Sequence, residues 1–430
     1  PMFHREVLGI SSGNLDSFFQ DAALLHQNLQ QYGRGADLSV IEGVMGYYDG
    51  IGFGTEAGTA QVAALTDTPV ILVVDCRGRA VSALAEVYGF LHFRQEGAQI
   101  RGVIFNRLPQ RLYAQAAEEA QRSGIRSFGY LPQIKGYHLQ SRHLGLVTPQ
   151  EMQDFKQQME LLARQTEESI DLDGLLALAE ESVAGKSAPG VQRQNSVPAP
   201  DNRIRQKIKI AVAWDAAFCF YYRENLDVLK QLDCEIVFFS PLEDAGLPKC
   251  DALILPGGYP ELYADRLEEN ESMRTSIREG IAGGLPVIAE CGGFLYLHKT
   301  LTDRAGETYR MAGVLEAHCC YDGLQKQFGY VEMTARKDQL LGKAGETLKG
   351  HEFHYFVSDL APDAFGAAKP YGGRAWMAGV GSETMYAGFP HIAFQGSRRA
   401  AERFVQKARA YRQKEENMLF ASIHDRGKES

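Results

Sequence analysis

The sequence predicts an α/β protein built from two parallel-sheet domains, and three observations carry that prediction. The chain has 430 residues, 45% of them hydrophobic, more than one compact core usually organises. Short apolar runs alternate with amphipathic stretches, the rhythm of a parallel sheet covered on both faces. That rhythm breaks once and restarts. The break lies between Glu181 and Arg205, where Pro, Gly, Ser and polar residues dominate and apolar periodicity is lost, as in a linker. The assignment is a first domain over 1–182, a linker over 183–206, a second domain over 207–413 and a polar tail over 414–430 that is expected to fray.

In the first domain Leu38 to Ile41, Pro69 to Val74 and Gly102 to Phe105 read as buried strands, with helices at Val81 to Phe90 and Arg111 to Arg122. In the second, Ile208 to Ala213, Glu235 to Phe239, Ala252 to Leu255 and Val287 to Ala289 read as strands. Glu224 to Gln231, Met273 to Ala282 and Arg398 to Arg412 read as helices, each on its apolar spacing.

Several function classes drop out. A formal net charge of −9 argues against general nucleic-acid binding, which needs a basic footprint. No apolar run is long enough to span a bilayer, and Pro1-Met2-Phe3-His4-Arg5 opens no signal peptide. The seven cysteines are odd in number and form no Cys-x-x-Cys, so reduced thiols in a cytoplasm are expected rather than a disulfide framework or a zinc site. The absence of Met at position 1 suggests a fragment.

Chemistry concentrates around Cys291, in Leu285-Pro-Val-Ile-Ala-Glu-Cys-Gly-Gly-Phe-Leu-Tyr-Leu297. A short strand ends at Glu290 and a helical pattern begins after Gly292-Gly293. This places Cys291 on a strand-to-helix bend at the carboxyl edge of a parallel sheet, where α/β proteins put their sites. The helix N-terminus favours a thiolate there. Upstream, Leu253-Ile-Leu-Pro-Gly-Gly-Tyr-Pro-Glu261 runs a strand into glycines whose N–H groups can face a developing oxyanion. A nucleophile of this kind needs a base. Composition offers several histidines, of which His391 stands just before the last helix.

Taken together, these residues resemble the cobyrinic acid a,c-diamide synthase family of cobalamin biosynthesis over essentially the whole chain. The motifs that carry the resemblance are Asn14-Leu-Asp16, Ala36-Asp-Leu-Ser-Val-Ile-Glu-Gly-Val-Met-Gly-Tyr-Tyr-Asp-Gly50, Ser141-Arg-His-Leu-Gly-Leu146, Leu255-Pro-Gly-Gly-Tyr-Pro-Glu261, Glu290-Cys-Gly-Gly293 and Gly350-His-Glu-Phe-His-Tyr355. The resemblance implies an amino-terminal P-loop, dethiobiotin-synthetase-like ligase domain and a carboxyl-terminal, flavodoxin-like class I glutamine amidotransferase domain. It implies amidation of the a and c carboxylates of a corrinoid precursor, with glutamine as nitrogen donor and ATP with Mg²⁺ driving the step. Hydrogenobyrinate or nickel-sirohydrochlorin are alternative substrates of the same chemistry, and a non-catalytic fragment is the alternative from another class. A homodimer is left open.

In that family type Cys291 is the nucleophile and His391 the base, with the backbone of Gly258 and Gly292 as oxyanion hole. Many class I glutaminases place a carboxylate two residues after the histidine; here that position is Ala393, so the partner that orients His391 is unidentified. For the ligase half, Mg²⁺ needs one or two carboxylates beside the phosphates, and Glu42 and Asp49 are the candidates. Asn106 and Pro132 resemble a nucleotide-base pocket. Arg142 and His143 suit a substrate rich in carboxylates. His351, Glu352 and His354 are further candidate substrate contacts, although the alternation of that run also fits an edge strand.

One element of the family pattern is not found. No Gly-x-x-x-x-Gly-Lys-[Ser/Thr] occurs, and Gly185-Lys186-Ser187 sits in the linker as a chance match. The expectation is that roughly the first fifty residues of the pattern, a β-α-β unit with its phosphate loop, are missing ahead of Pro1.

Overall fold

The computed structural model describes residues 4–5, 8–137, 155–184, 206–324 and 327–426. It divides into two compact units, Pro1–Asn202 and Arg203–Ser430.

The first unit runs α1 (Ala22–Tyr32), α2 (Thr59–Thr66), β1 (Val70–Asp75), α3 (Val81–His92), β2 (Ile100–Asn106), α4 (Gln110–Arg122), β3 (Arg126–Leu131), α5 (Phe155–Ser169) and α6 (Leu172–Ala184). The three strands form a parallel sheet in the order β1-β2-β3. Their carboxyl ends align, with Asp75 opposite Asn106 and Asn106 opposite Leu131. Leu72, Val74, Val103 and Phe105 from the sheet pack with Ala83, Leu84 and Val87 of α3.

One expected strand is absent. Residues 38–41 are unstructured coil, with Leu38 and Val40 exposed, Val40 at 84%. An extended run becomes a strand only where a neighbour takes up its N–H and C=O groups. Among the described residues the sheet ends at β1 without pairing this run. Glu42 therefore leaves from a loop, not from a strand end.

The second unit opens with β4 (Ile208–Ala213), β5 (Phe218–Phe220), α7 (Arg223–Gln231), β6 (Cys234–Phe239), β7 (Ala252–Leu255), β8 (Gly257–Gly258), α8 (Ala264–Glu269), α9 (Glu271–Ala282), β9 (Val287–Glu290) and α10 (Gly292–Leu297). It continues through β10 (His298–Thr302), β11 (Thr308–Arg310), β12 (Leu315–Tyr321), β13 (Gln327–Ala335), β14 (Thr347–His354), β15 (Phe356–Ser358), β16 (Phe365–Ala368), β17 (Ala375–Ala378), β18 (Val380–Gly381), β19 (Met385–Gly388) and β20 (His391–Ile392), and closes with α11 (Arg398–Arg426). The central sheet has the order β18-β19-β9-β7-β4-β6 and is parallel except at β18. A second, antiparallel sheet has the order β17-β16-β13-β14-β20.

Burial on both faces follows from the composition of the central strands. On β4, Ile208, Ile210 and Val212 enter one core with α7, α11 and the antiparallel sheet, while Ala211 and Ala213 enter the other with α9 and α10. Such strands read as continuous apolar runs because neither face meets water.

Two local expectations are corrected. The run His351-Glu-Phe-His354 is not an edge strand at its start: β20 pairs with Gly350 and His351 on the side of β14 away from β13, while residues 352–354 pair with β13. The tail does not fray from 414, because α11 continues to Arg426. Residues 413–426 contain neither Gly nor Pro, and the first breaker is Gly427. Among the described residues no helix is long and apolar enough to cross a membrane.

Candidate active site

The carboxyl ends of β7, β9 and β19 position the site. Cys291 follows β9 directly and caps α10 with φ 47° and ψ −102°. That left-handed conformation is costly for a side chain with a Cβ. It is held by the Cys291 N–H donating to Gly388 O at 2.8 Å and by the Leu295 N–H donating to Cys291 O at 3.0 Å. The half-buried thiol lies 3.8 Å from Phe353 O.

The glycines of the two motifs touch. A Cβ on Gly292 would stand 2.9 Å from Gly258 N, and one on Gly293 would collide with Leu255 O. Only glycine permits this approach. It sets the Gly258 and Gly292 backbone beside Cys291, where N–H groups can serve an oxyanion.

His391 arrives from β20, paired with β14. Its ring is close enough to the Cys291 side chain for the two to interact electrostatically, and its Nδ1 is 3.5 Å from Glu290 Oε2. Burial works to lower the imidazole pKa, but the interactions with Cys291 and Glu290 outweigh it and lift the value to about 10. Glu290 also accepts the Ile392 N–H at 3.0 Å through Oε1. Ala393 is buried in the core.

His351 is the register partner of His391, so both rings lie on one face of the antiparallel sheet. Burial, then the charge of His391, pushes its pKa down to about 4. The alternate residues Glu352 and His354 turn the other way. They are 2% and 9% exposed and bonded to each other at 3.0 Å. The His354 ring stacks on Phe389 with centroids 3.7 Å apart. Both side chains are thus enclosed within the second unit and bonded to each other.

In the first unit Asn106 ends β2 at the carboxyl edge of the sheet, and Pro132 follows β3. Asp49 is exposed, and its carboxylate lies against Gly46. Its loop is braced onto the start of α2 by the Ala60 N–H donating to Tyr47 O at 3.0 Å and by Thr59 Oγ1 donating to Val44 O at 3.1 Å. Glu42 is exposed on the same loop. Mg²⁺ asks for one or two carboxylates when phosphates supply the remaining oxygens, and two exposed carboxylates on one loop fit that demand. Among the described residues no group of three or more His, Cys, Asp or Glu side chains is placed to hold a metal ion. Arg142, His143 and Gly185-Lys186-Ser187 lie outside the described residues.

Three features escaped the sequence reading. Glu290 stands in a quoted motif, but nothing in its spacing points to His391. Gly257 packs against the His391 ring, which only the fold reveals. Asp75, at the same edge as Asn106, accepts from Arg107 Nε at 2.7 Å, and Arg107 has φ 58°. No pattern in the sequence marks that pair.

Fold and site together define a glutamine amidotransferase joined to a parallel-sheet α/β unit. A CobB/CobQ-like glutamine amidotransferase domain model matches residues 209–398, and an AAA domain model matches residues 20–139. The cobyrinate a,c-diamide synthase of Caldanaerobacter subterraneus subsp. tengcongensis is 35% identical over 418 residues, covering 96% of this chain and 90% of that protein. The enzymes of that name from Listeria monocytogenes and Salmonella typhimurium are each 37% identical, over 91% of this chain and 86% and 85% of theirs. Among solved structures, a glutamine amidotransferase from Thermotoga maritima aligns with 50% of this chain and 86% of its own, at 14% identity and TM-score 0.32. The chain belongs to the cobyrinate a,c-diamide synthase family, which bears out the resemblance in its motifs.

Proposed function

We propose that this chain uses glutamine and ATP, in the cytoplasm, to amidate the a and c carboxylates of cobyrinate. The observation that carries the reading is Cys291 on its strained bend beside His391 and the Gly258 and Gly292 backbone, in a chain 35–37% identical to curated synthases of that name. Residues 207–413 are the glutaminase half and 1–182 the ligase half.

Cys291 Sγ attacks the glutamine carboxamide carbon, and its proton passes to His391. The Gly258 and Gly292 N–H groups face the oxyanion. His391 protonates the departing nitrogen, which leaves as ammonia, and water hydrolyses the thioester to glutamate. In the ligase half a cobyrinate carboxylate becomes an acyl phosphate at the expense of ATP, and ammonia displaces the phosphate. Glu42 and Asp49 would hold Mg²⁺, which would neutralise charge at the phosphates. Asn106 faces the nucleotide base, and Arg142 and His143 contact substrate carboxylates.

The test is an assay of the full chain with cobyrinate, ATP, Mg²⁺ and either glutamine or ammonium chloride. Cys291→Ala is expected to abolish glutamate release and glutamine-dependent amidation while ammonium-dependent amidation persists. Glutamine-dependent product from Cys291→Ala would sink the glutaminase assignment. Amidation of hydrogenobyrinate in preference to cobyrinate would sink the substrate assignment.

A further inference from the structure

We infer that Glu290, the residue before the nucleophile, is the positioning carboxylate for His391. The inference rests on the glutaminase reading above and supplies the partner that Ala393 cannot be.

The geometry is specific. Nδ1 of His391 faces Glu290 Oε2 at 3.5 Å, which leaves Nε2 for the Cys291 thiol. The other Glu290 oxygen accepts the Ile392 N–H at 3.0 Å. One carboxylate therefore fixes both the ring and the backbone that carries it. β9 ends at Glu290 and β20 begins at His391, and β19 runs between them in the chain and pairs with β9. The contact thus joins the end of one strand to the start of another across the fold.

The Glu290 side chain is 8% exposed. A carboxylate so enclosed is costly unless a cation or several N–H groups receive it. Among the described residues the ion-pair partner of Glu290 is His391. The pair fits a division of labour in which the carboxylate sets the imidazole tautomer and stabilises the imidazolium that forms when the thiol gives up its proton, without taking that proton itself. The other ionisable groups around this pair are Cys291, His351 from β14, Tyr386 from β19, and Glu352, which with Glu290 raises the Tyr386 pKa after burial does.

Glu290→Gln separates this role from a structural one. The glutamine keeps an oxygen for the Ile392 N–H and nearly the same volume. It turns an N–H₂ donor toward Nδ1, favouring the tautomer with its proton on Nε2, which cannot accept from the thiol. In the full chain, kcat for glutamine hydrolysis is expected to fall roughly 10²- to 10⁴-fold with KM little changed. The alkaline limb of the pH profile should move to lower pH, because the imidazolium has lost its carboxylate. Glu290→Asp, which keeps the charge at shorter reach, should recover at least about tenfold over Glu290→Gln, with the melting temperature of both near the parent's. Parent-like kcat and pH limbs in Glu290→Gln would overturn the inference, as would equal losses in both variants together with a lowered melting temperature.

A second readout does not depend on turnover. Alkylation of Cys291 by iodoacetamide at pH 7, followed on its peptide by mass spectrometry, should slow by about tenfold in Glu290→Gln. An unchanged rate overturns the role of Glu290 even in a chain that hydrolyses nothing. Persistent hydrolysis in Cys291→Ala strikes the underlying glutaminase reading instead.

Discussion

Gly257 leaves His391 the room in which it stands. A Cβ at that position would fall within van der Waals contact of the ring, nearest Cε1, with Nε2 at 3.3 Å. The backbone of Gly257 is not in the left-handed region, so alanine there is a problem of space alone. The ring must yield, because Phe220 Cβ bounds the other side at 3.4 Å. Gly257→Ala is therefore expected to lower kcat for glutamine hydrolysis by about 10- to 10²-fold through misplacement of the base. The melting temperature should shift by no more than about 4 °C. A parent-like kcat would show that the imidazole does not need its present position. At this scale Cys291 and the two glycine pairs were legible, since a strand, a bend and a helix lie in one short stretch. Glu290 was not, because its partner lies far along the chain and only the pairing of β9 with β19 aims β20 at it. The alternation His351-Glu-Phe-His354 was also visible, but which face turned inward depended on β20.

The pairing of β14 with β20 sets two histidines side by side with opposite tendencies. Both cannot carry charge at low cost, and the fold divides them: His391 is raised to about 10 and His351 lowered to about 4. The signs then follow from linkage. For His391 the folded value exceeds the ordinary 6.5, so its contribution is fully present below pH 6.5 and is lost as pH rises through about 10. For His351 the folded value is the lower one. The unfolded chain then binds more protons between about pH 4 and 6.5, and stability falls as pH drops through that window. Urea midpoints measured across pH should show a shallower acid decline in His351→Gln than in the parent, and a shallower alkaline decline in His391→Gln. If either variant tracks the parent on its own limb, that ring does not carry the assigned shift. The elements themselves were mostly readable. Strands in the central sheet are apolar on both faces, and the helices of both units keep their stripes. Leu38 to Ile41 misled because an apolar run says nothing about whether a ladder partner exists. The tail misled because polarity was read as disorder, although lysine and glutamate are good helix formers.

Each unit of the whole molecule has a core made from its own residues. In the first, the cluster around Val74, Val103 and Phe105 draws on residues 47 to 130. In the second, the two clusters flanking the central sheet draw on residues from Ile208 onward. The second unit also closes on itself. Arg412 of α11 donates through Nε to Asp251 Oδ1 at 3.0 Å, and through its terminal nitrogens to Gln206 O and Lys207 O, each at 2.6 Å. Asp251 in turn accepts the Lys209 N–H at 2.6 Å. The last helix thus clamps the chain where the unit begins. A domain with its own core and its ends fixed has what it needs to fold alone. The candidate glutaminase residues, from Gly257 to His391, all lie inside it. Residues 206–430 expressed alone are accordingly expected to unfold in one cooperative transition and to release glutamate from glutamine, with Cys291→Ala silent. They should form no amide on cobyrinate with ATP, since Glu42, Asp49 and Asn106 are gone. Far-ultraviolet circular dichroism through a thermal scan and a glutamate assay decide the matter. An aggregated or non-cooperative piece, set beside a full chain that hydrolyses glutamine, would show that the second unit depends on the first for its fold and not merely for its acceptor.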